Sequence, residues 1–158
     1  MLKKVPERIA IIGGSMAGLF AAINLQALGF RVTVFERSEE TLANRGAGIA
    51  THKQLYDALR SAGVTPNQQM GVKSEGRVLI GQGGAIIERQ NMRQIMSSWG
   101  LIYRFLRAQI GDSDYQTDHE LLEVNVINKE KLVLRFKNGS SIEADWLIGA
   151  DGMNSTVR

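Results

Sequence analysis

The sequence predicts an α/β fold: a parallel strand–helix–strand unit at the N-terminal end, an inserted hairpin-and-helix segment, and an antiparallel three-stranded β-meander. Three observations predict it. An apolar, β-branched run, RIAII, passes through a glycine-rich turn into a helical pattern and then a second strand, RVTVFE, within about 30 residues, the span a parallel crossover needs. Two short β-rich runs flank the turn GQGG, as in a hairpin. Three more follow after residue 120, the last two separated by Asn138-Gly139, a strong turn signal.

Each element has its own reason. Residues 8–12 read as a short buried strand. Over residues 17–28, Leu19, Ala22, Ile23, Gln26 and Ala27 follow helical spacing, and Gly29 is a natural C-terminal stop. Residues 31–36 alternate and are β-rich. A loop, RSEETLANRGAGIA, leads to a helix over 51–62, closed by Gly63. Residues 77–80 and 85–88 form the hairpin. From 93 to 110 the pattern predicts a helix ending at Gly111, and the polar stretch DSDYQTDH predicts a loop. Residues 121–128, 131–136 and 141–143 give the meander. WLIGADG begins as a strand and breaks into a turn, and MNSTVR is expected to open a helix. No internal repeat or low-complexity tract interrupts the chain.

Composition narrows the function classes. With 158 residues, 44% apolar and 22% charged, the chain has the profile of a globular domain with an adequate core. It contains no cysteine, which excludes disulfides and cysteine-based zinc sites and is compatible with a cytoplasmic setting. His52 and His119, the only histidines, have no partners at metal spacing, so no metal is expected. The net charge of +3 comes from scattered basic residues with no block and no aromatic platform, which argues against a nucleic-acid partner. The N-terminal apolar run is too short for a signal peptide or a membrane span.

The first turn carries the chemistry. Gly13, Gly14, Ser15, Met16, Ala17 and Gly18 stand where G-x-G-x-x-G is expected, with Ser15 in place of the second glycine. Gly13 permits the sharp exit from the strand, and Gly18 lets helix and sheet approach. The middle position lies where backbone must come close to a pyrophosphate at a helix N-terminus. Serine is a small replacement that keeps a donor there. Glu36 ends the second strand, about 20 residues after the turn, where a carboxylate takes a ribose hydroxyl pair. Its charge disfavours a 2′-phosphate, an argument that Arg37 weakens. The bland alternative is a strand and helix joined by glycines with no ligand. The unit alone leaves NAD and FAD both open.

A second motif lies at the far end. In WLIGADGMNSTVR, Asp151, Gly152, Ser155 and Arg158 have D-G-x-x-S-x-x-R spacing. Together with the first turn and RGAGI (residues 45–49), this resembles the FAD-dependent aromatic-ring monooxygenases, the group of p-hydroxybenzoate hydroxylase. Ser15, RGAGI and SSWGLIYRFL look most like the dihydroxypyridine hydroxylase branch. The resemblance implies a Rossmann-like FAD-binding domain over residues 1–158, with 64–92 contributing to a substrate-side subdomain. It implies that Gly13, Gly14, Ser15, Met16, Ala17 and Gly18 line the FAD pyrophosphate, that Glu36 takes the ribose, and that Arg37 lies beside the adenine. Arg45 would lie near the flavin, Gly46 and Gly48 would let the chain pass the isoalloxazine, and Asp151 and Gly152 would match the second fingerprint. The bland alternatives are a solvated loop charge for Arg45 and a helix cap for Asp151. Many members carry a flavin-contacting arginine early in the helix after residue 93. Trp99 stands at that place here, and core packing with Tyr103, four residues on, is the preferred reading.

The resemblance also implies the reaction. NADH or NADPH reduces the flavin, O2 adds at C4a, and the hydroperoxide hydroxylates an aromatic or heteroaromatic ring; the cofactor carries the hard chemistry. No nucleophile–base pair is visible, and the catalytic residues stay unassigned. GDSDY superficially matches the family's G-D-A-x-H motif but lies before the D-G motif instead of after it. Members run to roughly 400 residues, so the chain matches an N-terminal portion, expected to be inactive alone and to need a second chain or the C-terminal half. The competing reading is a non-catalytic adenine-dinucleotide-binding module.

Overall fold

Successive side chains of a strand point to opposite faces, and in the first strand both faces are covered, which sets the layering. The structure, a computed structural model, describes residues 7–44, 46, 48–66, 70–128 and 131–158. In chain order the elements are β1 (Arg8–Ile12), α1 (Met16–Ala27), β2 (Arg31–Phe35), β3 (Gly48–Ala50), α2 (Lys53–Ser61), β4 (Val72–Ile80) and β5 (Ile86–Ser98). Then come α3 (Trp99–Arg107), β6 (Tyr115–Gln116), β7 (Leu121–Asn128), β8 (Lys131–Phe136), β9 (Ser141–Ala144) and β10 (Trp146–Gly149).

Strands β10, β1, β2 and β6 form one parallel sheet in that order, with Ile9 opposite Trp146 on one side and Val32 on the other. Ile9, Ile11, Val32 and Val34 share an apolar cluster with Leu19 and Ala22 of α1 and with Ile102 and Leu106 of α3. Ala10, Ile12 and Phe35 share another with Leu121, Leu134, Phe136 and Ala144 of the β7–β8–β9 meander. Helices, parallel sheet and meander therefore stack as three layers around β1. Gly29 stands just past α1 at φ +90°, the left-handed stop the sequence predicts. Among the described residues, no helix is long and apolar enough to cross a membrane.

The third sheet, β3–β5–β4, is antiparallel and differs from expectation. The hairpin around residues 81–84 is present but longer, and residues 93–98 continue β5 instead of starting a helix. Met96 pairs with Ala50 on one side and Val72 on the other, so two neighbours supply ladder hydrogen bonds that outweigh a helical spacing of apolar residues. The helix starts only where Ser98 caps it, its Oγ accepting from Leu101 N–H at 3.2 Å. Much of the ribbon is open, with Val72, Leu79, Ile80 and Ile87 all exposed.

One loop expectation and one helix expectation also change. Within DSDYQTDH, Tyr115 and Gln116 form a fourth strand against Val34 and Phe35, and Tyr115 is buried. MNSTVR forms turns with no helix, because the Asp151 carboxylate accepts from the N–H groups of Thr156 and Val157 and from Ser155 Oγ, wrapping the segment around one side chain.

Candidate nucleotide-binding site

The C-terminal ends of β1, β2 and β10 open onto one cleft of about 610 Å³. The chain leaves β1 toward β2 on one side, while β10 returns on the other, so the cleft lies where the direction of the sheet reverses. Open α/β sheets bind ligands at such a place.

The turn after β1 is shaped by two close approaches. Gly13 has φ +105°, and a Cβ there would overlap the Ala150 carbonyl beyond β10. A Cβ on Gly18 would overlap the Gly13 carbonyl, which is how α1 comes so near the strand. Ser15 is the N-cap of α1, yet its side chain makes no capping bond, and the first turn holds no acidic residue. The leading N–H groups of a helix have no intrahelical partner, so this end offers donors and partial positive charge with no acidic side chain of its own first turn to take them up. Ser15 and Ala17 line the cleft; Gly14 and Gly18 are buried beneath it, and Met16 packs toward the helical core.

Glu36 lies across from this end, 6% exposed. One carboxylate oxygen accepts from Gly14 N–H at 2.8 Å and the other from Ser38 N–H at 2.9 Å. Two carboxylate oxygens carry about four acceptor positions, so both can still accept from the cleft that Glu36 lines. Arg37 is exposed at the rim. Beside them, His119 packs its ring 5.4 Å from Phe35 and 4.9 Å from Phe136, with Nδ1 at 2.6 Å from the Thr117 carbonyl. His52, by contrast, is the exposed N-cap of α2, its Nδ1 accepting from Leu55 N–H.

Asp151 and Gly152 complete the wall after β10. Burial disfavours charge on Asp151, but its bonds from Ser155 Oγ (2.7 Å), Thr156 N–H (2.7 Å) and Val157 N–H outweigh that and hold the carboxyl below the usual carboxylate value. A folded value below the unfolded one gives stability that is complete above about pH 4 and is lost as pH falls through the folded value. Asp151→Ala is therefore expected to cost about 1 kcal/mol near neutral pH and much less near about pH 2. Urea midpoints at both pH values check this; a pH-independent gap would contradict it.

The remaining candidates separate. Gly46 lines the cleft at φ +99°, where a Cβ would overlap Trp99. Trp99 stacks on Tyr103 at 5.1 Å between ring centroids, which agrees with packing, yet it also lines the cleft. Gly48 starts β3 opposite Ser98 and does not line it. Arg45 lies outside the described residues.

A family model described as an FAD binding domain matches residues 7–158. This chain belongs to the FAD-binding domain family of the FAD-dependent aromatic-ring monooxygenases. It is 33% identical over 152 residues to 2,6-dihydroxypyridine 3-monooxygenase of Paenarthrobacter nicotinovorans, covering 96% of this chain and 38% of that protein. With hispidin-3-hydroxylase of Neonothopanus nambi it shares 27% identity, over 95% of this chain and 38% of that one. Among solved structures, 2,6-dihydroxypyridine-3-hydroxylase from Arthrobacter nicotinovorans superimposes with a TM-score of 0.87 at 33% identity, over 98% of this chain and 39% of that one. Klebsiella pneumoniae HpxO complexed with FAD, its R204Q form, shares the fold with a TM-score of 0.80 at 20% identity, over 96% of this chain and 41% of that one. The FAD-binding domain here thus spans about two fifths of the length of these relatives.

Sequence reasoning missed two residues of this FAD-binding domain. His119 reaches the cleft through a segment that reads as loop, and Tyr115 reaches beneath the turn from the same segment. No periodicity marks either one; the β2–β6 pairing brings in Tyr115, and the His119 N–H bond to the Glu36 carbonyl brings in His119.

Proposed function

We propose that this chain binds FAD and forms the N-terminal portion of a flavoprotein monooxygenase that hydroxylates an aromatic or heteroaromatic ring, with NADH or NADPH as electron donor. One observation carries the reading: a helix end with no side-chain cap and no acidic residue in its first turn faces one cleft together with a buried, hydrogen-bonded carboxylate. These residues fit a dinucleotide. The Ser15 hydroxyl and the first-turn N–H groups of α1, those of Met16, Ala17 and Gly18 among them, donate to the pyrophosphate. Gly13 and Gly14 keep backbone close to it, and Glu36 accepts from the adenosine ribose. Arg37 and His119 border the adenine, while Gly46 and the Asp151–Gly152 segment border the flavin part. When bound, the flavin supplies the redox and oxygen chemistry. This chain's share is to hold and orient it and to exclude water.

Residues 64–92 belong, in this reading, to the substrate side, where the open apolar ribbon of β4 and β5 lies. Because the chain covers 38% of the relatives named above, hydroxylation is proposed for a complete enzyme and not for these 158 residues alone. Titrating the chain with FAD is expected to quench flavin fluorescence and shift the visible bands on binding. Uptake of NAD with no uptake of FAD would replace this reading with that of a non-catalytic adenine-dinucleotide module.

A further inference from the structure

The two peptide groups of the turn are fixed in opposite senses. The Gly13–Gly14 unit directs its carbonyl at Gly18 and its N–H at Glu36. In the Gly14–Ser15 unit the carbonyl is buried and accepts from the Tyr115 hydroxyl at 3.1 Å. A trans peptide is planar, with its C=O and N–H pointing opposite ways. Tying the Gly14 carbonyl to Tyr115 therefore turns the Ser15 N–H away from the core, toward the cleft that Ser15 lines.

Tyr115 is itself firmly held. Its hydroxyl lies 3.2 Å from that of Tyr103, and since its own proton goes to Gly14, Tyr103 is the donor between them. The Arg107 guanidinium sits 4.4 Å over the Tyr115 ring and is anchored on the Ile110 carbonyl and Asp112. Burial, reinforced by the Tyr103 bond, pushes the phenol above its ordinary value, so it remains a donor. This also explains the residue at position 14. Gly14 is not among the glycines of positive φ, but a Cβ on it would overlap the Tyr115 hydroxyl. The second glycine of GGS is required by a tyrosine about a hundred residues away in sequence, not by backbone conformation.

We propose that Tyr115 is a positioning residue of the phosphate cradle: by holding the Gly14 carbonyl it aims the Ser15 N–H at the pyrophosphate of the bound dinucleotide. This rests on the FAD reading above. Tyr115→Phe removes the donor and keeps the ring. It is expected to weaken binding of FAD and of ADP about tenfold while leaving adenosine unchanged, since only the pyrophosphate meets that N–H. Tyr103→Phe leaves the Tyr115 donation in place and is expected to weaken ADP by no more than about threefold.

If ADP affinity is unchanged in Tyr115→Phe, or adenosine falls equally with ADP, the positioning role is overturned while the FAD reading stands. If the unaltered chain binds neither FAD nor ADP, the FAD reading falls and takes this one with it. Should Tyr115→Phe fail to fold, the amide spectrum of the unaltered chain decides. The Ser15 amide proton is expected to move downfield with ADP and to stay with adenosine; a Ser15 signal indifferent to bound ADP overturns the proposal.

Discussion

Glu36→Ala is expected to weaken FAD binding about a hundredfold and to lower stability by about 2–4 kcal/mol. Both effects come from the same two oxygens. Each already accepts from a backbone N–H, Gly14 on one side and Ser38 on the other, and Glu36 itself is only 6% exposed. Alanine leaves the buried Gly14 donor and the part-buried Ser38 donor without that partner, and an unmade buried hydrogen bond costs more than a made one contributes. The ribose hydroxyls, in the proposed complex, lose a charged acceptor as well. Glu36→Gln falls between, because its amide keeps one acceptor and presents a donor to the other N–H. Thermal melting and fluorescence titration on the same samples separate the parts. A lowered melting point with unaltered FAD affinity would leave Glu36 a structural clamp and end its assignment to the ribose.

Gly13→Ala is expected to cost about 3–5 kcal/mol, enough to abolish folding in a domain of ordinary stability. At φ +105° an L side chain is strained, and its Cβ would also overlap backbone of Ala150 and Asp151, which cannot move without separating β1 from β10. Gly139 provides the control. It has φ +86° in the β8–β9 turn with nothing within 4 Å of an added Cβ, so Gly139→Ala meets only the conformational penalty, about 1 kcal/mol. Urea denaturation of both variants reads the difference directly. Equal losses would mean that the contact with Ala150 carries no energy and that the turn is limited by dihedral preference alone.

The contrast between Gly13 and Gly14 shows where sequence reading reaches. Gly13, Gly18 and Gly29 are legible because strand exit, close helix approach and helix termination are local demands, although the Ala150 backbone that also crowds Gly13 is not local. The β1–α1–β2 unit and the meander are legible for the same reason, since alternation and 3.6-residue spacing are written in consecutive residues. The D-G segment is legible as a motif, but its conformation is not. The segment is expected to open a helix, with a cap as the bland alternative for Asp151, and instead that carboxylate gathers Ser155, Thr156 and Val157 into turns.

What the sequence determined by itself is the parallel strand–helix–strand unit with its glycine turn, the antiparallel meander, and the placing of Glu36 directly after the second strand. Tertiary structure alone decided that residues 93–98 are strand, because β3 and β4 flank them and supply their hydrogen bonds. It also decided that Tyr115 belongs to the sheet and the turn. A two-residue strand has too few residues to show a period, and its partners, Val34 and Gly14, lie far away along the chain. Pairing between distant segments leaves no local trace, so packing had to reveal it.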